Sequence, residues 1–526
     1  MRDFHLPGRS AVYAENGMCA TSHPLAASVA IDTLKAGGNA ADAAISAAVL
    51  LGICEPQMTG LGGDCFVLLS PAGSDEVVGL NGSGCAPAGL SAERLRADGH
   101  SAIPPQSADA VTLPGAVDAF CCLSETYGRL GLDRILAPAI DYHDTGVPVA
   151  PRVADDWAGS VDLLRGNARD KFLFDGKSPR SGQVFRSTGQ AEVLRRIAAQ
   201  GRDAFYSGEV AEDMLNLLQS EGGSHTAQDF AGVQADWTQP ISGTFGEAEV
   251  LEHPPNGQGA AALLLMNILK HFDLAALDPY GAERAHIESE ASKLAYDARN
   301  RFLADAGHTD RLDHLLQPAT AAKLAALIDP GRVLPDPTAV TEAVHRETIY
   351  LTVVDRDRMA VSLIYSIFHN FGSGMASPKF GILMHNRGAG FTLAEGHPNE
   401  AGPGKRPMHT IIPGIVRRAG RVEMPFGVMG GQYQAAGHAR FITNMEVYGM
   451  DPQAALDGPR CFSEAGDLRV ERGYSTEVRQ KLADLGHRVV DPPTAIGGGQ
   501  AIRIHDDLGV LEGGSDPRKD GCALGY

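Results

Sequence analysis

The sequence predicts a layered fold in which helices pack on β-sheet, of α/β or α+β class. Two observations predict it: residues 115–330 are dominated by Ala- and Leu-rich segments of helical character, and the C-terminal third carries short apolar runs separated by turn residues. Each kind of segment has an apolar face that must be buried against another layer. With 526 residues, 44% hydrophobic and 21% charged, the chain has the composition of a globular protein with a large core.

Taken in order, residues 23–52 form two Ala-rich helical stretches broken at Gly37, Gly38 and Asn39. Glycine suits the end of the first helix and Asn39 the cap of the second. The most apolar run, residues 43–54, is shorter than the roughly 20 residues that cross a bilayer and reads as a buried helix. Gly60, Gly62 and Gly63 then make a turn that feeds a buried strand at 65–69. The helical middle breaks at 148–151, at Pro179 and at 254–257. Residues 330–347 contain Pro330, Pro335 and Pro337 and have no period, so they read as an exposed linker. A strand follows at 350–354, a hairpin turn at 355–358 and a second strand at 359–367, with further strands at 381–384, 410–416 and 423–429.

Charge and composition narrow the function. Lys and Arg number 45 against 64 Asp and Glu, a net charge of −19 that argues against nucleic acid or an anionic membrane as the main partner. The first residues lack the apolar core of a secretory signal, and the eight cysteines show neither a CxxC pair nor zinc-like spacing. They read as reduced core thiols of a cytoplasmic protein. No cofactor and no metal are expected, because the chain has no P-loop, no dinucleotide fingerprint and no metal-ligand cluster in its sequence spacing. The 62 glycines stand above the usual share of about 7% and imply tight turns or close backbone approaches.

A nucleophile remains to be found, and GxSxG is absent. Thr348 sits where the linker meets the first strand. If the Glu347–Thr348 bond were cut, Thr348 would gain an α-amine of pKa about 7.7 to 8.0, placed to act as the base for its own hydroxyl. The local pattern is equally that of a β-branched residue starting a strand.

Five motifs carry a resemblance: TSHPLA at 21–26, AGGNAADA at 36–43, GLGGD at 60–64, LAPAI at 136–140 and GGSDPRKDG at 513–521. From about residue 16 to the C-terminus the chain resembles the γ-glutamyltranspeptidase family of N-terminal-nucleophile hydrolases. That resemblance implies a four-layer αββα sandwich, made as a proenzyme that cuts itself before a threonine, here Thr348. It further implies a large fragment 1–347 and a small fragment 348–526 that stay together in one αββα unit as a heterodimer, with a dimer of heterodimers as the larger assembly. Ser366 corresponds to a second hydroxyl that assists maturation, and Gly430 with Gly431 to a glycine pair whose N–H groups form the oxyanion hole.

The chain departs from the family where the glutamyl head would bind. The arginine position is Ser83, an asparagine position is Phe368, and a polar side chain and an aspartate become Arg387 and Gly390. A serine pair becomes His409 and Thr410. Arg387 offers a two-pronged donor for a carboxylate, and His409 with Thr410 offers further polar contacts; Arg387 as a structural ion pair and His409 as a core histidine are the plainer readings. The expected activity is hydrolysis of a small amide, oxamate-like or acyl, with acyl transfer as a variant. Two alternatives stay open: a γ-glutamyl hydrolase or transferase acting on glutathione, and an uncleaved, non-catalytic binding protein.

Overall fold

The computed structural model describes residue 5, residues 8–334 and residues 348–526. Two seven-stranded antiparallel sheets form its centre. The first runs Cys522–Gly525, Met18–Thr21, Ile349–Val354, Ala360–Ser366, Asp64–Ser70, Val78–Gly82, Asp236–Thr238. The second runs Val12–Ala14, Val510–Ser515, Gly498–His505, Arg421–Met429, Gly414–Arg418, Ala248–Glu252, Ile241–Phe245. Each sheet therefore combines strands from before and after residues 335–347.

Burial on both faces explains why the central strands read as unbroken apolar runs rather than alternating ones. In Ile349–Val354, Leu351 and Val353 pack with the helices Pro24–Lys35 and Ala40–Cys54, whereas Tyr350 and Val354 face the opposite sheet. Between the sheets lie Met18, Leu68, Ile415 and Ile502, and, toward one end, Phe66, Tyr350, Ile364, Ile411 and Met429. The outer face of the second sheet is covered by Gly259–Leu269, Ala282–Phe302 and Gln434–Glu446, which pack against Val250, Val416, Phe426 and Val428. The result is the four-layer αββα sandwich.

Local chemistry sets the boundaries. Asn39 caps Ala40–Cys54 with a reciprocal pair, its side chain accepting the Asp42 N–H at 3.1 Å while Asp42 accepts the Asn39 N–H at 3.0 Å. Gly37, just past the preceding helix, takes φ +96°. The hairpin at 355–358 forms as expected, with Asp355 accepting N–H groups from Met359 and, across the fold, Ala40.

Four expectations are corrected. The helical middle is interrupted by the edge strands Asp236–Thr238 and Ile241–Phe245, where half-exposed faces left mixed polar and apolar residues without a strong period, and by the buried strand Ala248–Glu252 beside the second of them. Residues 381–384 form only a bridge, Leu383 to Ala376, as the chain crosses over Gly62. The strand expected at 410–416 begins at Gly414, because residues 410–413 leave the sheet and the Ile412 N–H goes to the Gln434 side chain. Of the eight cysteines, all free, Cys19, Cys54, Cys65 and Cys121 are buried and the other four only half-buried. The linker expectation lies mostly outside the described residues; its first part is tied down, with the Val333 N–H on the Leu485 carbonyl and the Leu334 N–H on Glu290.

Candidate active site

Thr348 stands at the head of Ile349–Val354, and its neighbour across the sheet is Ser366, since Ile349 pairs with Tyr365. Both are buried, and the Thr348 hydroxyl donates to Ser366 Oγ at 3.3 Å. Ser366 in turn pairs with Asp64 on the next strand. Gly63 lets that strand approach: a Cβ there would lie 2.4 Å from the Ser366 carbonyl oxygen. Just after Ser366 the chain turns at Phe368, whose φ of +78° is unusual for a bulky residue, and the Phe368 N–H donates back to Ser366 Oγ at 2.8 Å. Glu347 lies outside the described residues.

Asp64 gathers the polar groups around this hydroxyl pair. Its Oδ2 accepts Arg387 Nε at 2.9 Å and His409 Nε2 at 3.0 Å, and lies 3.1 Å from His385 Nδ1. All four side chains are fully buried. Burial would raise the Asp64 carboxyl, but His385 and His409 hold it well below the usual carboxylate range. The same burial, with Arg387 adding to it, pulls His409 down to about 3, so its ring is neutral and Nε2 carries the proton given to Asp64. Burial draws Arg387 down to about 10 against the pull of Asp64, which leaves it charged at neutral pH.

Arg387 is only partly used. Its Nη1 reaches Thr410 Oγ1 at 3.4 Å and its Cζ lies 4.1 Å from the Phe368 ring centroid, but buried Nη2 has no partner among the described residues. A buried guanidinium donor left over is costly unless something else accepts it. The sequence thus brings Arg387, His409 and Thr410 together, and both plainer readings hold in part, since Arg387 and His409 do bond a structural carboxylate. Asp64 and His385 are the residues that sequence reasoning missed. The available signal was an acid opening a wholly apolar strand.

Gly430 and Gly431 follow Arg421–Met429, with φ of +121° and +55°, and lead into the helix Gln434–Glu446. A Cβ on Gly430 would meet Gly497 Cα at 2.7 Å. The carbonyls of the pair accept the Tyr433 N–H and the Gln258 amide. Met429 packs with Tyr350 and Ile411, so the pair lies at the same end of the sandwich as Thr348 and Thr410.

At the positions that depart from the glutamyl pattern, Ser83 is buried and accepts the Asn256 amide at 3.3 Å, while its carbonyl takes Arg406 Nε at 2.6 Å. A side chain on Gly390 would meet the Met408 carbonyl at 2.9 Å.

Comparison with known proteins agrees with this fold. The Gamma-glutamyltranspeptidase family profile matches residues 26–526. A glutathione hydrolase-like proenzyme of Bacillus subtilis, YwrD, is 36% identical over 97% of this chain and 98% of its own. The oxamate amidohydrolase proenzyme of Klebsiella pneumoniae is 33% identical over 97% of this chain and 98% of its own. Among solved structures, a cephalosporin acylase from Bacillus halodurans superposes with a TM-score of 0.92 at 38% identity, covering 100% of this chain and 99% of that one. On the fold, the profile and these full-length matches, the chain belongs to the γ-glutamyltranspeptidase family of amide-bond hydrolases.

Proposed function

We propose that this chain cuts itself between Glu347 and Thr348 and then hydrolyses a small amide that carries a carboxylate, through an acyl-enzyme on Thr348. The observation that carries the reading is the buried hydroxyl pair, Thr348 Oγ1 on Ser366 Oγ at 3.3 Å, at the first residue of a central strand. In maturation the Thr348 hydroxyl attacks the Glu347 carbonyl, the chain shifts from amide to ester, and water releases the large fragment. The freed α-amine, of pKa about 7.7 to 8.0, then accepts the hydroxyl proton as Thr348 attacks the substrate amide. Gly430 and Gly431 supply N–H donors to the oxyanion, the amine leaves with that proton, and water hydrolyses the ester. The interleaving of strands from 1–347 and 348–526 in both sheets supports a heterodimer that survives the cut.

Substrate class follows from Arg387. Its unpartnered Nη2 matches one oxygen of a carboxylate, with Thr410 Oγ1 beside it. An oxamate-like acid or an acyl amide fits, in keeping with relatives named as an oxamate amidohydrolase and an acylase. A zwitterionic γ-glutamyl head would find Ser83 engaged with Asn256 and no room for a carboxylate at Gly390. Eight free thiols support a reducing, cytoplasmic setting.

A denaturing gel and intact-mass measurement test maturation: two fragments, with Thr348 as a new N-terminus, are expected. The Thr348→Ala protein stays uncut and inactive on a panel of oxamate, glutaryl amides and glutathione. A wild-type protein that remains one full-length band after prolonged incubation would sink the proposal.

A further inference from the structure

The helix Ala282–Phe302 places His286 and Glu290 one turn apart on the same face. His487 reaches them from the chain just beyond Thr476–Asp484. His286 Nδ1 lies 2.8 Å from His487 Nε2, Glu290 Oε1 lies 3.9 Å from the same nitrogen, and all three residues are buried. We propose that His286 Nδ1, Glu290 Oε1 and His487 Nε2 form a binding site for a divalent transition metal of the zinc type. Folding creates the site from ligands 201 residues apart, which is why sequence spacing gave no sign of it.

Two imidazoles and one carboxylate are a donor set suited to zinc. Ligand atoms about 2.0–2.2 Å from a tetrahedral ion lie roughly 3.3–3.5 Å from each other. The histidines therefore need to part by about half an ångström, and Glu290 to approach by a similar amount.

The surroundings already orient the ligands. His286 Nε2 donates to the Asp329 carbonyl at 2.8 Å, which leaves Nδ1 as the lone-pair nitrogen. The Leu334 N–H donates to Glu290 Oε2 at 2.7 Å and leaves Oε1 for a cation. As the residues stand, that cation is the Lys293 ammonium, 2.8 Å from Oε1, and His487 Nε2–H donates to His286 Nδ1. On metal binding the neutral His487 ring carries its proton on Nδ1 instead of Nε2, which frees the Nε2 lone pair, and Lys293 keeps its bond to the Leu334 carbonyl at 2.9 Å while giving up Oε1. A cavity of about 160 Å³ lined by Lys293, Leu334, Asp467, His487 and Arg488 provides an entry path and room for water as fourth ligand. If the chain is cut before Thr348, His286 and Glu290 belong to the large fragment and His487 to the small one, so the ion also staples the fragments.

The test is calorimetric titration of zinc chloride into tag-free, chelator-stripped protein. One zinc per chain is expected, and His487→Ala and Glu290→Gln should weaken binding by about 100-fold or more. Glu290→Gln keeps an acceptor for Leu334, so a folded variant is available. Lys293→Met removes the competing ammonium and should tighten binding by about tenfold. Uncut Thr348→Ala protein should bind zinc equally, which separates this site from the maturation reading. Absence of binding to the wild type, unchanged binding in Glu290→Gln, or no tightening in Lys293→Met would each overturn the assignment.

Discussion

Two buried clusters in this molecule use the same ingredients, a carboxylate and arginine, and end differently. Asp516 accepts Arg460 and the Gly499 N–H on Oδ2, and the Arg518 N–H and Nη1 on Oδ1. Arg518 spends its remaining donors on Glu471, Leu456 and Gly458, so each of its guanidinium nitrogens has an acceptor. Asp64 likewise collects Arg387 and two histidines, but Arg387 Nη2 has no partner among the described residues. Both carboxyls are held low against burial, so charge alone does not distinguish them. Donor satisfaction does. A closed cluster holds the fold together, whereas the spare donor of the other is the one we propose receives the substrate carboxylate.

The comparison breaks most visibly through stability. Arg518→Met leaves buried Glu471 and Asp516 short of a partner, and removing one member of such a pair costs about 3–5 kcal/mol. Calorimetry should show a marked fall in the unfolding temperature, with activity per folded molecule close to wild type.

Arg387→Met should do the reverse. Asp64 retains His409 and His385, so the loss of stability is smaller than for Arg518→Met. Loss of a buried charged contact to substrate costs about 2–5 kcal/mol, so kcat/KM for a carboxylate-bearing amide should fall by roughly 30- to 4,000-fold. An amide without a carboxylate should lose far less. Equal unfolding temperatures for the two variants with unchanged kinetics for Arg387→Met would erase the distinction.

The sequence made one side of this comparison more readable than the other. Helices over 23–54 and strands over 349–366 carry their signals locally, in alanine content, the Asn39 cap and β-branched runs. Arg387, His409 and Thr410 were reachable because they depart from a family pattern at recognisable positions. Asp64 was not, since its partners lie 321 to 345 residues away and no local period encodes such a meeting. Edge strands at 236–252 escaped for a related reason: with one face half-exposed, their pattern is set by neighbours rather than by intrinsic preference.

A third buried carboxylate sharpens the contrast. Glu55 accepts the Ser22 hydroxyl and has no arginine partner among the described residues, and burial pushes its carboxyl up to about 7 although Ser22 and Lys519 oppose the shift. The folded state then holds a proton that the unfolded chain, with a carboxyl near 4.3, releases. Stability from this group is full below the unfolded value and declines as pH rises to about 7, by about 4 kcal/mol in all. Asp64 and Asp516 run the other way: their contribution is present above the ordinary carboxylate range and is lost only on strong acidification. Between pH 5 and 8, therefore, Glu55 moves stability while the two arginine-bound carboxylates do not. Denaturant unfolding of Glu55→Gln, which keeps an acceptor for Ser22, should show a flatter pH dependence over that window and greater stability than wild type at pH 8. An unchanged slope would mean that Lys519 holds Glu55 ionised, and would move it into the same class as Asp64 and Asp516.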